Sequence, residues 1–228
     1  MLMGLPGAIY VSGFGAAWIA VGLVVGAYLN YRLVAPRLRV YTELASDSIT
    51  IPEFFENRFM DTSRALRVLS SVVIVIFFTL YTSAGVVAGG KLFEASFGLD
   101  YGTGLFLTAG VVVAYTMFGG FLAVSLTDFV QGCIMFVALI LVPIVTLNEL
   151  GGLDATAAAV RSVDPSLLDW MRGATVFGII SSLSWGLGYF GQPHIIVRFM
   201  AIRSLKSIAT ARYIGMAWMI ITVIGAVA

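Results

Sequence analysis

The chain has 228 residues, 60% of them hydrophobic and 11% charged, with a formal net charge of +1. A soluble domain carries about 25% charged and about 45–50% apolar residues, so this composition excludes an ordinary water-soluble globule and names lipid as the solvent. The near-zero charge and the lack of a basic stripe interleaved with aromatics give no sign of a nucleic-acid partner.

At the N-terminus, Met1–Gly7 has no basic flank and meets Pro6 before any full apolar core, so it is not a signal peptide. The C-terminus, Gly225–Ala228, lies inside an apolar run. Both ends read as cuts through membrane segments, and the expectation is a fragment of a longer protein. A helix rises about 1.5 Å per residue and the hydrocarbon core is about 30 Å thick, so one crossing takes about 20 apolar residues. Six stretches meet or nearly meet that length: 11–33, 68–90, 102–119, 125–147, 174–197 and 208–228. They form a single transmembrane domain over residues 1–228.

Charge tests this layout independently of hydropathy. Arg32, Arg37, Arg39, Arg58, Arg64 and Arg67 fall around the first connection, and Arg198, Arg203, Lys206 and Arg212 around the last. Only Lys91, Arg161 and Arg172 fall on the opposite side. The positive-inside rule then puts the first and last connections in the cytoplasm.

Within the first connection, Thr50 followed by Glu53, with Pro52 just inside, predicts a capped short helix at the membrane surface, with Phe55 and Phe59 on one face and Phe54 beside them. In the second span Tyr81, Ala84, Gly85, Ala88 and Gly89 share a face, where small residues let another helix approach; packing and a site role for Tyr81 explain this equally well. The third span ends at Gly119-Gly120, a tight turn. Asp128 follows soon after and is the only acidic residue between Asp100 and Glu149. A charge in the bilayer is costly and usually functional, but near a helix N-terminus it can serve as a cap; both readings stay open. Cys133 is the single cysteine, which excludes an internal disulfide. Its apolar surroundings predict a buried, inert thiol. The fourth connection is expected to hold a short helix over 154–163, with an N-cap at its start.

The fifth span carries the strongest signal. Gly186, Gly188 and Gly191 weaken the helix, and Pro193 removes a backbone donor and drives Gln192 out of helical geometry. Broken backbone inside a membrane is tolerated where it packs on protein or lines a wet cavity, and its freed N–H and C=O groups can bind ions and zwitterions. Trp185 and Tyr189, four apart, add two aromatics to one face. Close helix packing with an interfacial aromatic belt is the competing explanation. His194, the only histidine, lacks the companions a metal site needs. No P-loop, Ser–His–Asp, HExxH or CxxC arrangement occurs, and a membrane-embedded enzyme would have only His194 and Asp128 to work with.

The run Ser184-Trp-Gly-Leu-Gly-Tyr-Phe-Gly-Gln-Pro-His-Ile-Ile-Val-Arg-Phe-Met resembles the sodium:solute symporter family, and within it the proline branch rather than the sugar or vitamin branches. Met3-Gly-Leu-Pro-Gly-Ala, Leu38-Arg-Val with Thr42-Glu, Phe77-Phe-Thr-Leu-Tyr, and Gly119-Gly-Phe-Leu-Ala-Val-Ser with Thr127-Asp agree in order, so the resemblance covers essentially the whole chain. It implies an all-α integral membrane fold, part of the leucine-transporter-type five-plus-five inverted-repeat bundle. It implies a multi-pass protein of the cell membrane that carries L-proline with sodium ion, with no enzymatic role and no obligatory protein partner. The family's substrate pocket falls on Tyr81, Trp185, Tyr189 and Pro193, and its sodium pathway on Asp128. By the same resemblance, the main sodium site draws on an unwound stretch that would precede Met1 and a helix that would follow Ala228. Uptake of another small organic solute, or a fragment that transports nothing, are the alternatives.

Overall fold

The computed structural model describes residues 4–171 and 174–228; Met3 of the resemblance and Arg172 of the charge pattern lie outside the described residues. Among the described residues every regular element is helical. Four helical runs are long and apolar enough to cross a membrane: Gly4–Leu44, Ala65–Phe97, Tyr101–Glu149 and Leu205–Val227, with a shorter apolar one at Val176–Gly191. The contacts divide the chain into one unit of residues 1–58 and 134–228 and a second of residues 59–133.

In the first unit, the run that begins at Gly4 is not one uniform helix. Helix α1 (Gly4–Ser12) leads through a 3-10 turn, Gly13–Ala16, into α2 (Ala17–Leu29). A π turn, Asn30–Val34, then passes into α3 (Ala35–Leu44). The helix thus extends past 11–33 at both ends. Pro36 explains how: it stands at the start of α3, directly after the π turn, where a missing N–H disturbs the ladder least. Gly13 has φ +67, and a Cβ there would meet the Leu167 backbone, so only glycine serves.

Helix α4 (Ile51–Phe59) is capped as its sequence predicts: the Thr50 hydroxyl oxygen accepts from the Glu53 N–H at 3.3 Å. The Glu53 carboxylate reaches back one residue further than the usual box, accepting from the Ile49 N–H at 3.0 Å. Phe54 packs inward with Ala45 and Met200, while Phe59 is exposed.

The second unit is built on α5 (Ala65–Phe97) and the first part of α6 (Tyr101–Glu149). Gly98, at φ +66, ends α5, and the Asp100 carboxylate starts α6 by accepting from the Gly102 N–H at 2.9 Å. Small residues let the two helices meet: a Cβ on Gly89 would stand 2.6 Å from the Thr108 side chain. Unbroken, α6 would be about 74 Å long, over twice the hydrocarbon thickness. It breaks at Gly120 (φ 53, ψ −148), a conformation reserved for glycine, leaving helical lengths over 101–119 and 121–149. Large apolar side chains point outward, among them Phe77 (65% exposed) and Phe118 (93%). Cys133 is likewise exposed rather than buried, because it sits on an outward face of α6. Lipid tolerates such a surface and water does not.

Back in the first unit, α7 (Leu153–Val163) begins after Gly152 with no side-chain cap, so Asp154 lies in its first turn instead of capping it. A 3-10 turn follows at Pro165–Leu168. Then come α8 (Val176–Ser184), a 3-10 turn at Trp185–Leu187, α9 (Gly188–Gly191), α10 (Pro193–Met200) and α11 (Leu205–Val227). The unit's core joins Leu5, Ala20, Ala27, Leu139, Met219 and Val223, with Tyr189 packed against it. The Trp18 and Trp170 rings meet edge to face at 5.5 Å, and the Trp18 indole N–H donates to the Trp170 carbonyl.

Candidate functional site

The backbone between α8 and α10 fails in two places, and each failure has a local cause. Around Gly186 the α-helix tightens into the 3-10 turn. At Gln192 it opens into extended geometry, φ −81 and ψ 110, immediately before Pro193. Proline disfavours the α region for the residue before it and has no N–H to give to the carbonyl four residues back, which is that of Tyr189.

The broken stretch is held by α2. Built Cβ atoms on Gly22 and Gly26 would strike the backbone of Leu183 and Gly186, and one on Gly186 would strike Gly22. The two helices therefore touch backbone to backbone, which no other residue type permits at these positions. One turn beyond Gly26, Asn30 is 1% exposed, and its Nδ2 donates to the Tyr189 carbonyl oxygen at 2.9 Å. The Tyr189 hydroxyl donates to the Met219 sulfur of α11 at 3.9 Å. Trp185 is 64% exposed and Pro193 half-buried.

Trp185, Tyr189 and Pro193 thus sit on one broken segment of the first unit. Tyr81 and Asp128 belong to the second. Tyr81 lies on α5 with its ring 5.7 Å from that of Phe78 and is 59% exposed. An open groove on the same unit is lined by Val75, Phe78, Thr79, Thr82, Ser83 and Leu105. Its Thr79 and Ser83 hydroxyls donate back to the Val75 and Thr79 carbonyls of their own helix. Asp128 stands eight residues past the Gly120 break, more than two turns into the helix. A helix dipole acts within the first turn, so Asp128 is not an N-terminal cap.

Two groups escape a reading of the sequence alone. One is Asn30, whose only sequence signal is a polar residue in register with Gly22 and Gly26. The other is a polar cluster at the ends of α3 and α10. Arg39 pairs with Glu43 at 2.6 Å and Asp47 at 3.7 Å and donates to the Met200 carbonyl at 3.1 Å. Beside it the Arg58 guanidinium lies 3.9 Å from the centre of the Tyr41 ring, and Asn57 donates to the Ser48 hydroxyl at 2.9 Å.

The resemblance implies a broken helix here, and the helix is interrupted at Gly186 and at Gln192. The sequence model of the sodium:solute symporter family matches residues 1–228. The chain belongs to the sodium:solute symporter family. It is a family of symporters, not of enzymes. The chain is 62% identical over 227 residues to the osmoregulated proline transporter OpuE of Bacillus subtilis, covering 100% of this chain and 46% of that protein. To the high-affinity proline transporter PutP of the same organism it is 61% identical over 227 residues, covering 100% of this chain and 48% of the relative. To the sodium/proline symporter 2 of Staphylococcus saprophyticus it is 56% identical over 228 residues, covering 100% and 44%. The chain therefore spans a little under half the length of these relatives. No solved structure matches it.

Proposed function

We propose that the protein carrying this chain couples the entry of sodium ion to the uptake of L-proline across the cell membrane. The observation that carries the reading is the identity of 56–62% across the whole chain to relatives named for proline transport. The broken stretch Trp185–Pro193 gives it a chemistry. Proline has a cationic ring nitrogen, a carboxylate and an apolar ring. Trp185 and Tyr189, with Tyr81 and Pro193, suit the ring, and carbonyl and N–H groups freed from a helix suit the charges. Asp128 is assigned to the sodium pathway by the family resemblance, and a carboxylate within a membrane segment is usually functional.

The same proposal takes the chain as six spans, with the Gly120 break separating the third from the fourth and the broken segment forming the fifth. The Arg-rich first and last connections face the cytoplasm. The bundle is part of a five-plus-five inverted repeat, and α4 lies at the cytoplasmic surface of the bilayer. Sodium binding favours an outward-open state that takes up proline, and occupation of both sites permits the change of access.

The test is uptake of radiolabelled L-proline by proteoliposomes holding the intact protein. An inward sodium gradient is expected to drive accumulation, and its collapse to abolish it. Equal uptake with and without the gradient overturns sodium coupling, and no uptake of proline overturns the substrate.

A further inference from the structure

The carbonyl of Tyr189 faces a difficulty that its own helix cannot resolve. In an α-helix it would accept from the N–H four residues on, and that residue is Pro193, which has none. A buried carbonyl without a donor is destabilising in a membrane core. We propose that Asn30 is the substitute donor: its side-chain amide takes the place of the missing Pro193 N–H and fixes the Tyr189 carbonyl, and with it the aromatic ring, at the break. Asn30 is a positioning residue for the substrate site. This deepens the function proposed above, because it rests on Tyr189 belonging to that site.

Four features of the structure support the assignment. The Asn30 Nδ2 lies 2.9 Å from the Tyr189 carbonyl oxygen. An asparagine side chain is short, and it reaches only because Gly22 and Gly26, eight and four residues earlier on the same face, bring α2 into backbone contact with Leu183 and Gly186. Asn30 opens the π turn Asn30–Val34, and such turns recur at functional positions in helices. Finally, its Oδ1 is buried with no hydrogen-bond partner among the described residues. A residue placed for packing would avoid that orphaned oxygen, and a leucine of similar volume would do so. The benefit of the amide therefore lies in the one bond it makes. Because the Nδ2 must face a carbonyl, the two ends of the amide are not interchangeable.

The claim predicts a specific rescue. Pro193→Ala returns a backbone N–H to position 193, so Tyr189 no longer depends on Asn30. The experiment is a double-mutant cycle with Asn30→Leu and Pro193→Ala in the intact protein, read as melting temperature in detergent and as sodium-driven L-proline uptake. Asn30→Leu alone is expected to lower the melting temperature and to raise the half-saturation for proline about fivefold to tenfold, with the maximal rate changed less than about twofold. In the Pro193→Ala background the same change is expected to cost less than about half as much in melting temperature and less than about twofold in half-saturation. If Asn30→Leu alone does not accumulate in the membrane, its recovery by Pro193→Ala supports the proposal, and failure of that recovery while Pro193→Ala alone folds overturns it. Equal effects of Asn30→Leu in both backgrounds overturn it as well. A wild-type protein that shows no proline uptake overturns the proposed function only, and the melting cycle then decides on Asn30 by itself.

Discussion

Gly26→Ala adds a single methyl group at the crossing of α2 and the broken helix, and the structure sets the size of its effect. The built Cβ stands 2.5 Å from the Gly186 Cα and 2.6 Å from its carbonyl carbon. The Gly186 carbonyl oxygen lies closer still, and ordinary contact begins near 3.4 Å, so the helices must part by at least about 0.9 Å because backbone, not a flexible side chain, is in the way. That movement carries the Asn30–Tyr189 bond from 2.9 Å to about 3.8 Å or more, beyond hydrogen-bond range. Overpacking of this kind costs about 1–3 kcal/mol and the lost bond about 0.5–1.5 kcal/mol, for a total of about 1.5–4.5 kcal/mol. The assay is the melting temperature of the purified protein, which is expected to fall by the order of 5 °C, with reduced proline uptake. Gly186→Ala closes the same gap from the other side. The double variant should therefore cost clearly less than the sum of the two. Gly110→Ala is the control, since a Cβ there meets nothing within 4 Å. A Gly26→Ala protein as stable and as active as the Gly110→Ala protein would refute the backbone contact.

Three further outcomes follow from the site and its surroundings. Trp185→Ala is expected to raise the half-saturation for proline about tenfold, as loss of a large aromatic contact does; an unchanged value removes Trp185 from the pocket. Asp128→Asn should shift the sodium titration of uptake more than the proline titration, and an unaltered sodium curve rules out a place on the ion path. Asp61 anchors the start of α5: the Ser63 hydroxyl and the Leu66 N–H donate to its carboxylate and hold its pKa below the ordinary value. The stabilisation is then present above the unfolded value and is lost as pH falls through the lowered folded one. Asp61→Ala should speed hydrogen exchange of the amides at Ser63 and Leu66 at neutral pH, and acidification should bring the wild type toward the variant. Equal exchange at neutral pH refutes the anchor.

The parts of this fold that were legible in the sequence are those set by local backbone chemistry. Pro193 dictates an extended Gln192 whatever surrounds it, and Gly120 marks the break in α6 because few other residues adopt its angles. Thr50 caps α4 by a bond within its own turn. What could not be read is partner choice. Helical periodicity says which residues share a face, not what that face meets. The contact between Asn30 and Tyr189 joins positions 159 apart, and the glycine crossing joins two helices of which neither carries a mark of the other. The same limit explains Cys133, which an apolar run suggests is buried and which the fold turns outward. In α4 the packing of Phe54 against Ala45 and Met200 is likewise a choice of partner that the shared face of Phe55 and Phe59 does not reveal. Of the proposed site residues, Trp185, Tyr189 and Pro193 stood out because they lie in a stretch disrupted by Gly186, Gly188, Gly191 and Pro193 itself. Tyr81 and Asp128 were noticeable in the sequence, but each had an equally good structural explanation, and only the family resemblance favoured a site role.

Sodium coupling of proline binding is the central claim, and calorimetric titration of the intact protein with L-proline at several sodium concentrations tests it most directly. The account predicts that sodium tightens proline binding and that proline tightens sodium binding by the same factor, since the coupling is one free energy seen from two sites. A proline affinity that does not change with sodium contradicts it.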